Sequence, residues 1–304
     1  PPLVTGIVIT AIGLALLPVG IKYASGGAAA FQMNAPEWGD FSRWGLALVV
    51  IFVALGFKFF TRGTMSSAAI LIGLIAGYVV GYLTGAVNFG GVAKAAWFAV
   101  PEPFKYGIEF SAFAIIGMCL MSLVSAIETV GDISGIAKGG ANREATDKEL
   151  SGGTYADGFG SFIAGLFGGL PNTSFSQNVG LISMTGVMSR SVVTLGALFL
   201  VACGLIPKVG AVVAAMPISV LGGGVIVMFG MVVSAGINML SGVNWNRRNM
   251  IILAMSLSVG LGIQAVPKSM QHLPDSFEML MVSGLLPAAA ISVILNLLIP
   301  KDID

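Results

Sequence analysis

Eight stretches of this chain run for 17 or more residues without a charged side chain: 1–21, 63–93, 110–127, 158–189, 191–207, 209–246, 249–267 and 279–300. A helix needs about 20 mostly apolar residues to cross a bilayer. A soluble domain has no use for so many such runs. Residues of the set AVILMFWYC make up 56% of the chain and charged residues 10%, where soluble domains carry about 25% charge. So few charges cannot clothe a globular surface, and the missing solvent is lipid. The fold class is an all-α polytopic membrane protein, placed as a multi-pass protein of the cell inner (plasma) membrane.

Other classes fall away on the same inventory. The net charge is +1, and no basic block offers a nucleic-acid surface. Cys119 and Cys203 lie inside apolar runs, away from any turn that would pair them or build a metal site, so no metal and no cofactor is expected. His272 stands alone in a loop beside Pro274. No catalytic dyad, zinc spacing or phosphate loop is present, and an enzyme is not expected.

Trimming the apolar runs at Gly, Pro and Asn clusters predicts ten segments: 3–23, 43–60, 65–86, 109–134, 155–169, 177–189, 191–206, 218–240, 249–266 and 282–299. Basic residues collect on the cytoplasmic side. With the N-terminus inside, the tight pairs Lys58/Arg62 and Arg247/Arg248 fall in the cytoplasm, and 138–154 reads as a cytoplasmic loop. The chain opens Pro1-Pro2-Leu3 with neither an initiator Met nor a signal peptide, which predicts a start inside a longer protein. Gly73, Gly77 and Gly81 recur at every fourth residue, a spacing that lets helix backbones approach closely in lipid.

Chemistry concentrates in two places. At Leu170-Pro171-Asn172-Thr173-Ser174-Phe175-Ser176-Gln177-Asn178 no helix can continue, because Pro171 lacks a donor and the next three side chains compete for backbone groups. The helix after it, Gln177 to Ser189, is too short to cross alone. The crossing therefore finishes in extended form, and its peptide groups must meet protein or a cavity. Interrupted spans of this kind present half-helix amides to a midplane ligand. The second place is Glu128, an acid after eighteen uncharged residues. An ionised acid at that depth costs about 2.5–3.5 kcal/mol, so it faces a partner or a cavity. Asp132 shares its helix face one turn on; spacing leaves open whether it reaches the interface. Asp157, followed by Gly158, reads equally as an N-cap or as a functional acid.

The segment Gln177-Asn178-Val179-Gly180-Leu181-Ile182-Ser183-Met184-Thr185-Gly186 resembles the signature of the nucleobase–ascorbate transporter family. Ser125-Ala-Ile-Glu128-Thr-Val-Gly-Asp132, Ala156-Asp157-Gly158 and Gly222–Gly236 resemble further family segments, and the likeness runs from Pro1 to Pro300. The resemblance implies fourteen spans in a 7+7 inverted repeat of core and gate domains, of which this chain resembles spans five to fourteen. By that likeness residues 1–100 are a first gate portion of three spans. Residues 101–208 are the second half of the core, with the broken element at 170–180 as a short extended strand before a half-helix. Residues 209–304 are the second gate portion.

Function follows as an expectation from the same likeness: proton-coupled symport of a purine base, xanthine or uric acid, by a protein that dimerises through its gate domain. Glu128 would accept from ring N–H groups, Gln177 would read the opposite edge, and backbone at Phe175 and Ser176 would contact the base. The Phe175 ring would stack on it, Asn178 would shape specificity, and Asp157 with Glu128 would couple protonation to binding. A flat, weakly charged heterocycle calls for such directed hydrogen bonds and an aromatic wall. The family's uracil group carries an acid where this chain has Gln177. Three alternatives stay open: a uracil or other nucleobase permease, an anion transporter of the related sulfate-permease fold, and an intramembrane enzyme using Glu128 and Asp157.

Overall fold

A computed structural model describes residues 2–175, 178–179, 182 and 187–300. Among these residues there is helix and no strand. The main elements are α1 (Pro2–Ala24), α2 (Phe41–Phe60), α3 (Ala69–Leu83), α4 (Ala112–Ala141), α5 (Asp147–Leu166), α6 (Arg190–Gly204), α7 (Pro207–Ala214), α8 (Ile218–Leu240), α9 (Arg247–Ala265), α10 (Asp275–Val282) and α11 (Leu285–Leu298). Five of them (α1, α2, α4, α8 and α9) are long and apolar enough to cross a membrane, and α6 with α7 forms a sixth candidate bent by 85°. The chain is a polytopic membrane protein, as the apolar runs require.

The described helices match most of the expected segments, with three corrections at breaks. Helix α4 continues to Ala141 and α5 begins at Asp147, so the polar stretch 138–154 is mostly helix and not a loop. A capping box starts α5: Thr146 accepts from the Glu149 N–H, and Glu149 accepts from the Thr146 N–H. Such caps hold a helix start that hydropathy alone misses, because the first turn is charged. The expected span 65–86 is divided at Ala68 into Thr64–Ser67 and α3. Helix α7, too short for a periodic signal, starts on Pro207, where a missing N–H costs nothing. The expected half-helix 177–189 falls largely outside the described residues, and 187–189 are not helical.

Glu149 also takes a two-pronged ion pair from Arg143, with N–O distances of 2.8 and 2.6 Å. That pair and the Thr146 donors hold its carboxyl far below the ordinary value of 4.5. A lowered folded pKa means the cap's ionic contribution is complete above pH 4.5 and disappears only as the pH falls well below it. A carbon-13 titration of the Glu149 carboxyl is expected to show that low midpoint, and Arg143→Gln should move it back toward 4.5. An unchanged midpoint in the variant would contradict the pairing.

The chain divides into two compact units. One holds residues 16–101 and 187–229. Its core is Leu46, Val50 and Val220, and its packing runs through glycine. An added Cβ on Gly73 would lie 2.7 Å from the Val50 carbonyl oxygen, and one on Gly81 would lie 3.1 Å from Pro217. The stripe at 73, 77 and 81 is thus the contact surface that its spacing predicts.

The other unit holds residues 1–15, 102–186 and 230–304. The start of α1 contributes to two of its core clusters. Val4 and Val8 pack with Val124 of α4 and with Leu286 and Ala289 of α11. On another face Leu3 and Ile7 meet Leu240 of α8 and Ile252 of α9. Gly236 lets α8 come within 2.6 Å of the Thr10 amide, measured from a hypothetical Cβ. This unit carries α4, α5 and the non-helical segment that follows α5.

Candidate functional site

On α4 the residues Ser125, Glu128, Thr129 and Asp132 stand at i, i+3, i+4 and i+7 and so share one face. Glu128 is 9% exposed, Thr129 3% and Asp132 3%. Their polar stripe on an otherwise apolar helix has to find partners, and two elements supply them. From α5, Asp157 accepts from Thr129 Oγ1 at 2.9 Å and from Ser125 Oγ at 3.3 Å on the same carboxylate oxygen. From the non-helical segment after α5 come Asn172, Thr173 and Ser174.

Each residue of that triplet answers a different group. Ser161 of α5 donates to Asn172 Oδ1 at 2.9 Å and accepts from the Asn172 backbone N–H at 3.1 Å. Asn172 Nδ2 reaches the second Asp157 oxygen at 3.5 Å. Thr173 Oγ1 accepts from Ser125 at 2.9 Å and donates to Glu128 Oε2 at 3.4 Å. Ser174 Oγ donates to Asp132 Oδ2 in a short contact. The segment is neither helix nor strand, where a short extended strand is expected from the sequence: Pro171 bars helix, and the side chains that follow it are engaged on both flanking helices. Gly160 makes the close approach possible: a Cβ there would lie 2.8 Å from Asn172 Nδ2.

Three acids expected from the sequence therefore come into one hydrogen-bonded cluster. Asp157 lies ten residues inside α5 and not at its start, since Thr146 is the cap; its carboxylate is engaged by side chains of α4. Asp132 is buried and bound to Ser174, which joins it to the same cluster. Phe175 is 52% exposed and non-helical, and its carbonyl accepts the Asn178 N–H at 2.9 Å. Asn178 is exposed. Ser176 and Gln177 lie outside the described residues. No cluster of three or more His, Cys, Asp and Glu suited to a metal ion occurs among the described residues.

Sequence reasoning overlooked Ser125, Thr129, Ser161, Asn172, Thr173 and Ser174 as members of the site. Ser125 and Thr129 could have been found from their helical register with Glu128. By residue type alone the triplet 172–174 signals a break in helix. Its hydroxyl and amide groups are also the natural mates for carboxylates two spans away.

The family model described as Permease family (Xan_ur_permease) matches residues 1–269 of this chain. The chain belongs to the nucleobase–ascorbate transporter family. Relatives agree with that assignment along almost the whole sequence. A putative purine permease of Clostridium perfringens is 39% identical over 99% of this chain and 66% of its own length. The xanthine permease of Bacillus subtilis is 36% identical over 98% and 67%. The uric acid transporter UacT of Escherichia coli is 36% identical over 97% and 61%. The chain thus spans about two thirds of the length of these relatives. The family is one of permeases and not of enzymes, which removes the intramembrane enzyme from the alternatives.

Proposed function

We propose that the chain forms the greater part of a proton-coupled symporter that brings a purine base, xanthine or uric acid, into the cell. One observation carries the reading: buried Glu128 and Asp132, together with Asp157, are hydrogen-bonded through the same non-helical triplet, Asn172–Ser174. The named activities of the relatives point to the substrate class.

In this reading Glu128 accepts from ring N–H groups of the base, with Gln177 reading the opposite edge and Phe175 stacking on the ring. Backbone at Ser176 and the side chain of Asn178 complete the binding surface. Asp157 takes up and releases the coupling proton. Its hydroxyl partners on α4, Ser125 and Thr129, sit beside Glu128, so protonation at Asp157 reorients donors next to the substrate acid. Residues 101–208 serve as the second core half and move against gate portions 1–100 and 209–304. The gate also makes a homodimer contact, and both chain ends face the cytoplasm.

Proteoliposomes carrying the full-length protein test the reading. Labelled xanthine should accumulate when the outside is made acidic, and uric acid should compete. Asp157→Asn is expected to abolish the response of uptake to the imposed pH gradient while leaving binding of the base measurable. Uptake by Asp157→Asn that still follows the gradient would overturn its coupling role.

A further inference from the structure

Two hydroxyls join Asp157 to Glu128 without a gap. Ser125 Oγ lies 3.3 Å from Asp157 Oδ2 and 2.9 Å from Thr173 Oγ1, and Thr173 Oγ1 lies 3.4 Å from Glu128 Oε2. A hydroxyl has one proton to donate and two lone pairs to accept with. Ser125 faces two acceptors with that single proton, so it serves Asp157 or Thr173 and never both. Thr173 faces the same choice between Ser125 and Glu128. When both hydroxyls point one way, Thr173 donates to Ser125 and Ser125 to Asp157. When both point the other way, Ser125 donates to Thr173 and Thr173 to Glu128.

Charge decides the direction, because hydrogen bonds to an ionised acceptor are roughly twice as strong as neutral ones. With one proton held between the two acids, the hydroxyls point at whichever carboxylate is ionised. The remaining contacts of Asp157 turn its proton toward this chain. Its Oδ1 meets Asn172 Nδ2 at 3.5 Å, a donor that can take no proton. Ser161 fixes that amide by donating to Asn172 Oδ1 at 2.9 Å. Oδ2 faces the hydroxyls of Ser125 and Thr129, and a hydroxyl can accept. The titratable groups at this junction are Glu128 and Asp132 from α4 and Asp157 from α5, and residues 171–175 bring none. Asp132 answers Ser174. The two ion pairs among the described residues, Arg43–Glu37 and Arg143–Glu149, involve none of these acids.

We propose that Ser125 and Thr173 form a two-hydroxyl proton wire that carries the coupling proton from Asp157 to Glu128 in each transport cycle. The proton on Asp157 Oδ2 binds Ser125 Oγ, the Ser125 proton passes to Thr173 Oγ1, and the Thr173 proton passes to Glu128 Oε2. One O–H bond breaks and one forms at each hydroxyl, and no other reactant is needed. Asp157 is left ionised, with both hydroxyls turned toward it. Glu128 is left with an O–H and one acceptor fewer for the ring N–H groups of the base, so arrival of the proton drives release. The wire rests on the roles proposed above for Asp157 and Glu128, and Ser125 and Thr173 are its positioning residues.

The test compares turnover of labelled xanthine in proteoliposomes with equilibrium binding to the same full-length protein. Thr173→Val keeps the shape and removes the hydroxyl; Ser125→Ala cuts the wire from a different element, at a position where Ala suits the helix. Each should slow turnover at least about tenfold, since positioned proton transfer is worth about 10²- to 10⁴-fold. The dissociation constant should change by less than about fivefold, the loss of one long hydrogen bond. Thr173→Ser should restore turnover. The double variant should be no slower than the slower single one, because a wire is cut only once, whereas independent defects add. Parental turnover in either single variant, a loss of binding as large as the loss of turnover, failure of Thr173→Ser to restore it, or additive losses in the double variant would overturn the wire. Those results leave the proposed function standing as long as parent uptake follows the pH gradient and that of Asp157→Asn does not. Gradient-driven uptake by Asp157→Asn would overturn the coupling role and the wire together.

Discussion

Glu128→Gln is expected to lower purine uptake by about 10- to 100-fold, the loss of a hydrogen bond made to a charged group. The substitution keeps shape and leaves a side-chain oxygen for the Thr173 hydroxyl, which lies 3.4 Å from Glu128 Oε2. Expression and melting temperature should therefore stay near the parent. What changes is the acceptor: a carboxylate takes N–H donors with either oxygen, whereas an amide offers one oxygen and sets a donor against the base. Equilibrium binding of labelled xanthine should weaken in parallel with transport, which separates a binding defect from a coupling defect such as that expected of Asp157→Asn. Parent-level uptake by Glu128→Gln at normal expression would remove Glu128 from the binding surface.

The largest effect on folding is expected at Gly222. A Cβ on this residue of α8 would lie 2.6 Å from both the Ala24 Cα and the Tyr23 carbonyl carbon. The obstacle is backbone, which cannot swing aside as a long side chain can. Gly222→Ala must separate α8 from the end of α1 in a close-packed contact. Overpacking of this kind costs about 1–3 kcal/mol, and rigid backbone on the opposing side favours the upper part of that range. Loss of monodisperse protein on size exclusion, or a large fall in melting temperature, is the expected result. Gly230→Ala supplies the control on the same helix, because nothing lies within 4 Å of its added Cβ. It should be neutral or slightly stabilising, since Ala is the better helix former by about 1 kcal/mol. Similar behaviour of the two variants would show that close approach is not what Gly222 provides.

Much of the architecture was legible from local pattern. The interior of α8 follows from an apolar run bounded by Pro217 and Asn244, and the contact face of α3 from glycine at every fourth position. Boundaries were less legible wherever polar chemistry builds helix. The capping box at Thr146 and Glu149 starts α5 eight residues before the expected segment 155–169 does, and a hydropathy reading passes over it because its first turn is charged. The acids were legible as well: a carboxylate far inside an apolar run announces itself by its solvation cost. Their mates were not.

The sequence by itself determined that the chain lives in lipid, that its helices meet through glycine, and that Glu128 could not be left alone in the bilayer. Periodicity says which residues share a helix face, and covalent geometry says where a helix must stop. Neither says which distant groups will meet. Only the tertiary structure decided that Asn172, Thr173 and Ser174 would answer Asp157, Glu128 and Asp132, and that Arg248 would bind the end of α11. Such pairings are selected by burial: once helices pack, each polar group withdrawn from water takes the partner that the packing places within reach.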